Sequence, residues 1–127
     1  MLLKSQKLHN LKPAMFDSAK AFNQPIGQWD VSQVTNMSSM FHGAGAFNQP
    51  IEQWDVAQVT EMSFMFYKAK LSTRHYDSTL IAWSTLPKLN ALVFDAGSSQ
   101  YSKAAIAARQ KLIDEHGWKI EDGGLTP

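Results

Sequence analysis

The sequence predicts an α/β fold: a solenoid of short parallel strands and short helices, closed by a C-terminal α-β-α-β cap. Three observations predict it. Residues 21–41 read AFNQPIGQWDVSQVTNMSSMF and residues 46–66 read AFNQPIEQWDVAQVTEMSFMF, a return after 25 residues with four changes, Gly27/Glu52, Ser32/Ala57, Asn36/Glu61 and Ser39/Phe64. Within each copy an alternating apolar run gives way to one with helical spacing, and a unit this small cannot bury both faces alone. After residue 70 the repeat stops and a helix–strand–helix–strand pattern follows. Residues 1–127 read as a single domain, with the repeats over 8–70 and the cap over 71–127.

In each unit Gln-Trp-Asp-Val offers the strand, with Trp29 and Val31 on one face and Asp30 on the other. Val34, Met37, Met40 and Phe41 then fall at i, i+3, i+6 and i+7, one side of a short helix. Ser32 or Thr35 can cap its start and Gly43 or Gly45 its end, while Pro25 and Pro50 turn the chain back. Stacked units set their strands side by side in parallel. A degraded copy stands ahead of the two full ones, with Leu8-His9-Asn10-Leu11 in the place of Val34-Thr35-Asn36-Met37 and one extra residue at Pro13. Leu71-Ser72-Thr73-Arg74 occupies the place of a further FNQP, which ends the array.

The cap begins with a helix over 72–86, where Tyr76, Leu80 and Trp83 lie at i, i+4 and i+7, Ser72 or Thr73 caps and Pro87 stops. Leu92-Val93-Phe94 reads as a buried strand, Ser102 caps a second helix running to about His116, and Gly117 ends it. Trp118-Lys119-Ile120 alternates as the last strand. Strand, crossover helix and strand form a parallel unit that extends the sheet of the repeats. Arg109 falls inside the apolar face of its helix, between Ala105, Leu112 and Ile113. A buried guanidinium needs a carboxylate or several carbonyls, and Asp95 or Asp122 can supply a carboxylate. It is either an ion pair that fastens the cap or a ligand-binding arginine.

The string FNQPIGQWDVSQVTNMSSMF closely resembles the repeat of bacterial surface proteins of the BspA-like leucine-rich-repeat group, carried by mycoplasma and listerial lipoproteins and labelled a domain of unknown function. The FNQ, WDV and VTxM elements carry the resemblance over about residues 8–70. It implies a leucine-rich-repeat-like solenoid at the cell surface, used for adhesion or interaction, with no catalytic residues to carry over. The stretch FDAGSSQYSKAAIAARQKLIDEHGWKIEDGG is similar to the closing segment that follows such repeats.

The composition is that of a globular chain, 44% apolar and 18% charged, and the net charge of +1 brings no attraction to nucleic acid or anionic lipid. There is no cysteine, which removes thiol chemistry and cysteine-bound metals. The first residues hold no apolar stretch of signal-peptide length, so a cytoplasmic product is expected as encoded, and a cell-surface one if the chain is a fragment. His9, His42, His75 and His116 have neither metal-ligand spacing nor the 25-residue period, and HExxH, GxSxG and glycine-rich phosphate loops are missing. Asp30 and Asp55 recur in register, but a ladder spacing of about 4.8 Å leaves no room for a substrate between paired carboxylates. No enzyme, no cofactor and no metal is expected.

What remains is binding. Gln28, Trp29, Asp30, Gln53, Trp54 and Asp55 form a candidate ligand ridge for a glycan or peptide, against the reading that a periodic tryptophan is core. Asn23/Asn48 and Gln24/Gln49 suit side-chain ladders at the turns. A protein partner is expected first, a carbohydrate second, with neither nucleic acid nor membrane insertion. Leu2, Leu3, Leu8, Leu11 and Met15 would leave an apolar edge at the N-terminal end, which predicts a two-fold homodimer through that end.

Overall fold

The computed structural model of the chain describes residues 12–127. Its first feature is a backbone ladder between units. The N–H groups of Met37, Ser39, Phe41 and Gly43 donate to the carbonyls of Glu61, Ser63, Met65 and Tyr67 at 2.8–2.9 Å. One unit earlier, Ala14, Phe16 and Ser18 donate in the same way to Ser38, Met40 and His42. Asn36 pairs in parallel with Glu61, so residues 25 apart lie side by side.

This ladder runs through the segment in which a helix was expected. Met40, His42 and Ala44, the residues between the ladder donors, instead close tight turns to Met37, Ser39 and Phe41. Among the described residues no helix occurs before Thr73. An isolated turn or two of helix is marginal, and here every second N–H is claimed by the neighbouring unit before an i→i−4 bond can form. The price is two left-handed residues per unit: Ala14, Ser39 and Phe64 at φ 55–59°, and Ser18, Gly43 and Lys68 at φ 60–68°. The Gln-Trp-Asp-Val segment expected as a strand is not one: Trp29 and Trp54 close turns by donating to the carbonyls of Ile26 and Ile51, and Asp30 makes only an isolated bridge.

Apolar side chains of successive units rest on their own copies. Phe16, Phe41 and Phe66 stack with ring centroids 5.8 and 5.1 Å apart, and Phe22 lies on Phe47 at 5.7 Å. The two columns touch at 4.0 Å between Phe16 and Phe22 and 4.2 Å between Phe41 and Phe47. Val34, Met37 and Met40, with Val59, Met62 and Met65 above them, are buried in the same interior. Contact between near-parallel rings adds to the burial of their area.

Polar columns run beside the apolar ones. Asn23 Oδ1 accepts from the N–H of Asn48 and from Gln49 Nε2, both at 2.9 Å, and Asn48 Oδ1 accepts from the N–H of Ser72 at 2.9 Å. The asparagine column thus passes from the repeats to the cap, because Ser72 is the residue whose hydroxyl caps the first helix. One difference between the two copies has a steric cause. A Cβ on Gly27 would stand 2.6 Å from the carbonyl oxygen of Pro50, whereas Glu52, at the same place in the last unit, is exposed. Gly27→Glu, which makes the copies more alike, is therefore expected to destabilise by about 1–3 kcal/mol. A denaturant midpoint equal to the parent's would mean that the units lie farther apart than described.

The cap follows in the order α1 (Thr73–Ser84), β1 (Val93–Asp95), a 3-10 turn (Lys103–Ala105), α2 (Ile106–His116) and β2 (Lys119–Glu121). β1 and β2 are parallel, with Phe94 opposite Ile120. Met62 of the last unit pairs in parallel with Phe94, and Phe66 donates to the Asp95 carbonyl, so the ladder continues from the repeats into the cap. Gly97 makes this crossing possible: at φ 63°, a side chain there would meet the carbonyl oxygens of Ala69 and Phe66 at 2.1 and 2.2 Å. Gly117, left-handed at φ 71°, ends α2 with Trp118 donating back to Leu112. Arg109 on α2 meets Asp122 and not Asp95, whose Oδ1 accepts from the N–H of Gly97.

Candidate interaction surface

The residues singled out as a ridge are not one surface. Trp54 is 1% exposed, its Nε1 donating to the Ile26 carbonyl of the unit below at 3.0 Å. Trp29 is half-buried and packs against Phe16 at 6.2 Å. A sugar needs an open ring face to stack on, and the Trp54 indole offers none. Asp30 Oδ1 accepts from the N–H and hydroxyl of Ser32, and Asp55 Oδ1 from the N–H of Ala57, so both carboxylates hold turns. Gln28 Nε2 donates to Gln53 Oε1 at 3.1 Å, and both residues are exposed. They line a hollow of about 70 Å³ with Gly27, Pro50 and Glu52.

A different cluster stands on the outer side of the ladder. Phe64 is 56% exposed and Tyr67 44%, their rings edge to face at 5.9 Å. His42, from the unit below, stacks on Tyr67 at 5.4 Å, and Lys68 Nζ lies 5.7 Å from the centre of that ring. His42 Nδ1 is 2.9 Å from Asp17 Oδ1, 25 residues earlier. Hydrogen bonds from Ser18 and then His42 hold the Asp17 carboxyl below its usual range.

Sequence reasoning passed over Phe64, although its signal was present. Ser39/Phe64 is the one change between the copies that puts a large apolar residue in place of a small polar one outside the core pattern. The backbone there is left-handed, at φ 57°, a conformation that bulky side chains rarely adopt.

The Ser18 hydroxyl donates to Asp17 and not to His42, so no hydroxyl nucleophile faces the imidazole. Among the described residues no group of three or more His, Asp or Glu is placed to hold a metal ion, and no helix is long and apolar enough to cross a membrane. The chain sets two 25-residue copies side by side on a shared core and carries an aromatic cluster on its surface. It belongs to the family described as Mycoplasma protein of unknown function, DUF285, whose model matches residues 4–103, the repeats and the first half of the cap. No curated protein and no solved structure matches the chain.

Proposed function

We propose that this chain is a non-catalytic protein-interaction or adhesion module, a leucine-rich-repeat-like solenoid whose ladder side receives a protein partner. The observation that carries the reading is Phe64. The stack forms at the same place in the first copy with Ser39, so the phenyl ring is not needed to join units. It is exposed, and it sits on a strained backbone where its apolar surface meets water. A partner would cover that surface.

Phe64→Ser tests the reading by restoring the residue of the first copy. Denaturant unfolding is expected to leave stability within about 0.5 kcal/mol of the parent, as for a surface change. A loss above about 1 kcal/mol would make Phe64 part of the fold and remove the reading.

The carbohydrate-binding alternative keeps Gln28 and Gln53 at the hollow beside Gly27, but without Trp54 the half-buried Trp29 is its one partly open ring. As for self-association, residues 1–11, with Leu2, Leu3, Leu8 and Leu11 of the expected edge, lie outside the described residues, and Met15 is 51% exposed. Ala14, Phe16 and Ser18 already give their N–H groups to the second unit. Two such edges facing each other would oppose carbonyl to carbonyl. A homodimer at this end therefore packs through Met15 and the half-buried Phe16 and Phe22 rather than by extending the ladder.

A further inference from the structure

We propose that the Phe64–Tyr67 cluster and the bare strip beside it dock an acidic peptide segment of a protein partner, with an aromatic side chain of that segment against Phe64. This deepens the interaction reading above and rests on it. The argument starts from which residues follow the ladder. Positions 18, 43 and 68 carry Ser18, Gly43 and Lys68, and positions 20, 45 and 70 carry Lys20, Gly45 and Lys70. The middle unit thus has glycine at both places, and a side chain on Gly45 would meet nothing within 4 Å. The result is a strip free of middle-unit side chains, edged by Ser18 at Gly43 and open at Gly45, with Lys20 on one side and Lys68 and Lys70 on the other.

Neighbouring units are spaced by about 5 Å, so the flanking lysines stand roughly 10 Å apart across the strip, wide enough for one extended chain. Lys20, Lys68 and Lys70 are exposed and make no ion pair among the described residues. The carboxylate nearest them in register, Asp17, is held by Ser18 and His42. Glu61, exposed and three residues before Phe64, adds a second carboxylate on the Phe64 side, so the acidic part of a ligand lies toward the lysines, away from Glu61. Cations without a carboxylate partner beside two exposed rings select carboxylates next to an aromatic anchor.

The probe is a random copolymer of glutamate and tyrosine, titrated into the 15N-labelled chain, with poly-glutamate, a lysine–tyrosine copolymer, polygalacturonate and phosphatidylserine vesicles as comparisons. Amide shifts are expected at Gly43, Gly45, Phe64, Tyr67 and Lys68 with the glutamate–tyrosine copolymer. Phe64→Ser and Lys68→Glu are each expected to weaken binding by about tenfold, and added salt to weaken it further. Equal affinity for the lysine–tyrosine copolymer, shifts confined to other residues, or folded variants that bind unchanged would overturn the proposal. Tighter binding to polygalacturonate or to the vesicles would overturn it too, in favour of a glycan or a lipid surface. If Phe64→Ser unfolds the chain, the interaction reading itself fails; if it folds and binds as before, only the acidic-peptide proposal does.

Discussion

Arg109→Met is expected to lower the stability of the chain by about 3 kcal/mol, because it strands a buried charge. Asp122 has a side chain only 3% exposed, and Arg109 reaches it with Nε at 2.9 Å from Oδ2 and Nη2 at 3.3 Å from Oδ1. Tyr76 donates its hydroxyl to the same Oδ2 at 2.6 Å, and the N–H of Gly124 donates to Oδ1 at 3.0 Å. Burial, and then the hydrogen bond to Asp122, push the Tyr76 phenol above its ordinary pKa, so it stays a donor. Burial pulls Arg109 down, but the hydrogen bond and charge of Asp122 outweigh it and raise the guanidinium. Removing the cation leaves the carboxylate with two neutral donors. The double variant Arg109→Met, Asp122→Asn is expected to recover part of the loss, since no buried charge remains. A single-variant loss below about 1 kcal/mol in denaturant unfolding would mean that solvent reaches Asp122 and the pair does not fasten the cap. Arg109 also lies over the Tyr101 ring at 4.8 Å, so its guanidinium is engaged on two sides, which favours the fastening role over ligand binding.

The pairing of Arg109 shows where sequence reasoning ends. Its place on an apolar helix face calls for a carboxylate or several carbonyls, two carboxylates were available, and the choice follows from how Gly97 turns the chain after β1 and occupies Asp95. The inward residues of the repeats were legible, because Val31, Val34, Met37, Met40 and Phe41 recur in phase and all are buried. The backbone that carries them was not. Apolar residues three and four apart suit a helix and a series of tight turns equally, and neither Ser39 nor Phe64 announces a left-handed φ. The tryptophans illustrate a second limit: Trp54 and Trp29 sit in the same Gln-Trp-Asp-Val segment, yet Trp54 is the more deeply buried. Burial of a repeated residue depends on its layer, which a single unit's sequence does not contain. Phe64, by contrast, was visible as a departure between copies, and departures are where a repeat reveals what its stack does not need.

Phe41→Ala is expected to be the costliest single truncation in the repeats, at about 4 kcal/mol, and it tests the shared interior directly. The ring is fully buried and lies between Phe16 at 5.8 Å and Phe66 at 5.1 Å, with Phe47 beside it at 4.2 Å and Trp54 at 6.3 Å. Its removal opens a cavity that touches the units on both sides. Phe16, the same residue one unit earlier, is half-buried, and Phe16→Ala is expected to cost about half as much. In a stack held by nearest-neighbour interfaces, a central ring contributes to two interfaces and an outer ring to one. Equal losses from the two truncations, measured by denaturant unfolding with matched slopes, would mean that each copy buries its phenylalanines in a cluster of its own. The ranking, more than either value, is the test: the same ring is removed after the same methionine, and the two sites differ most in their position in the stack.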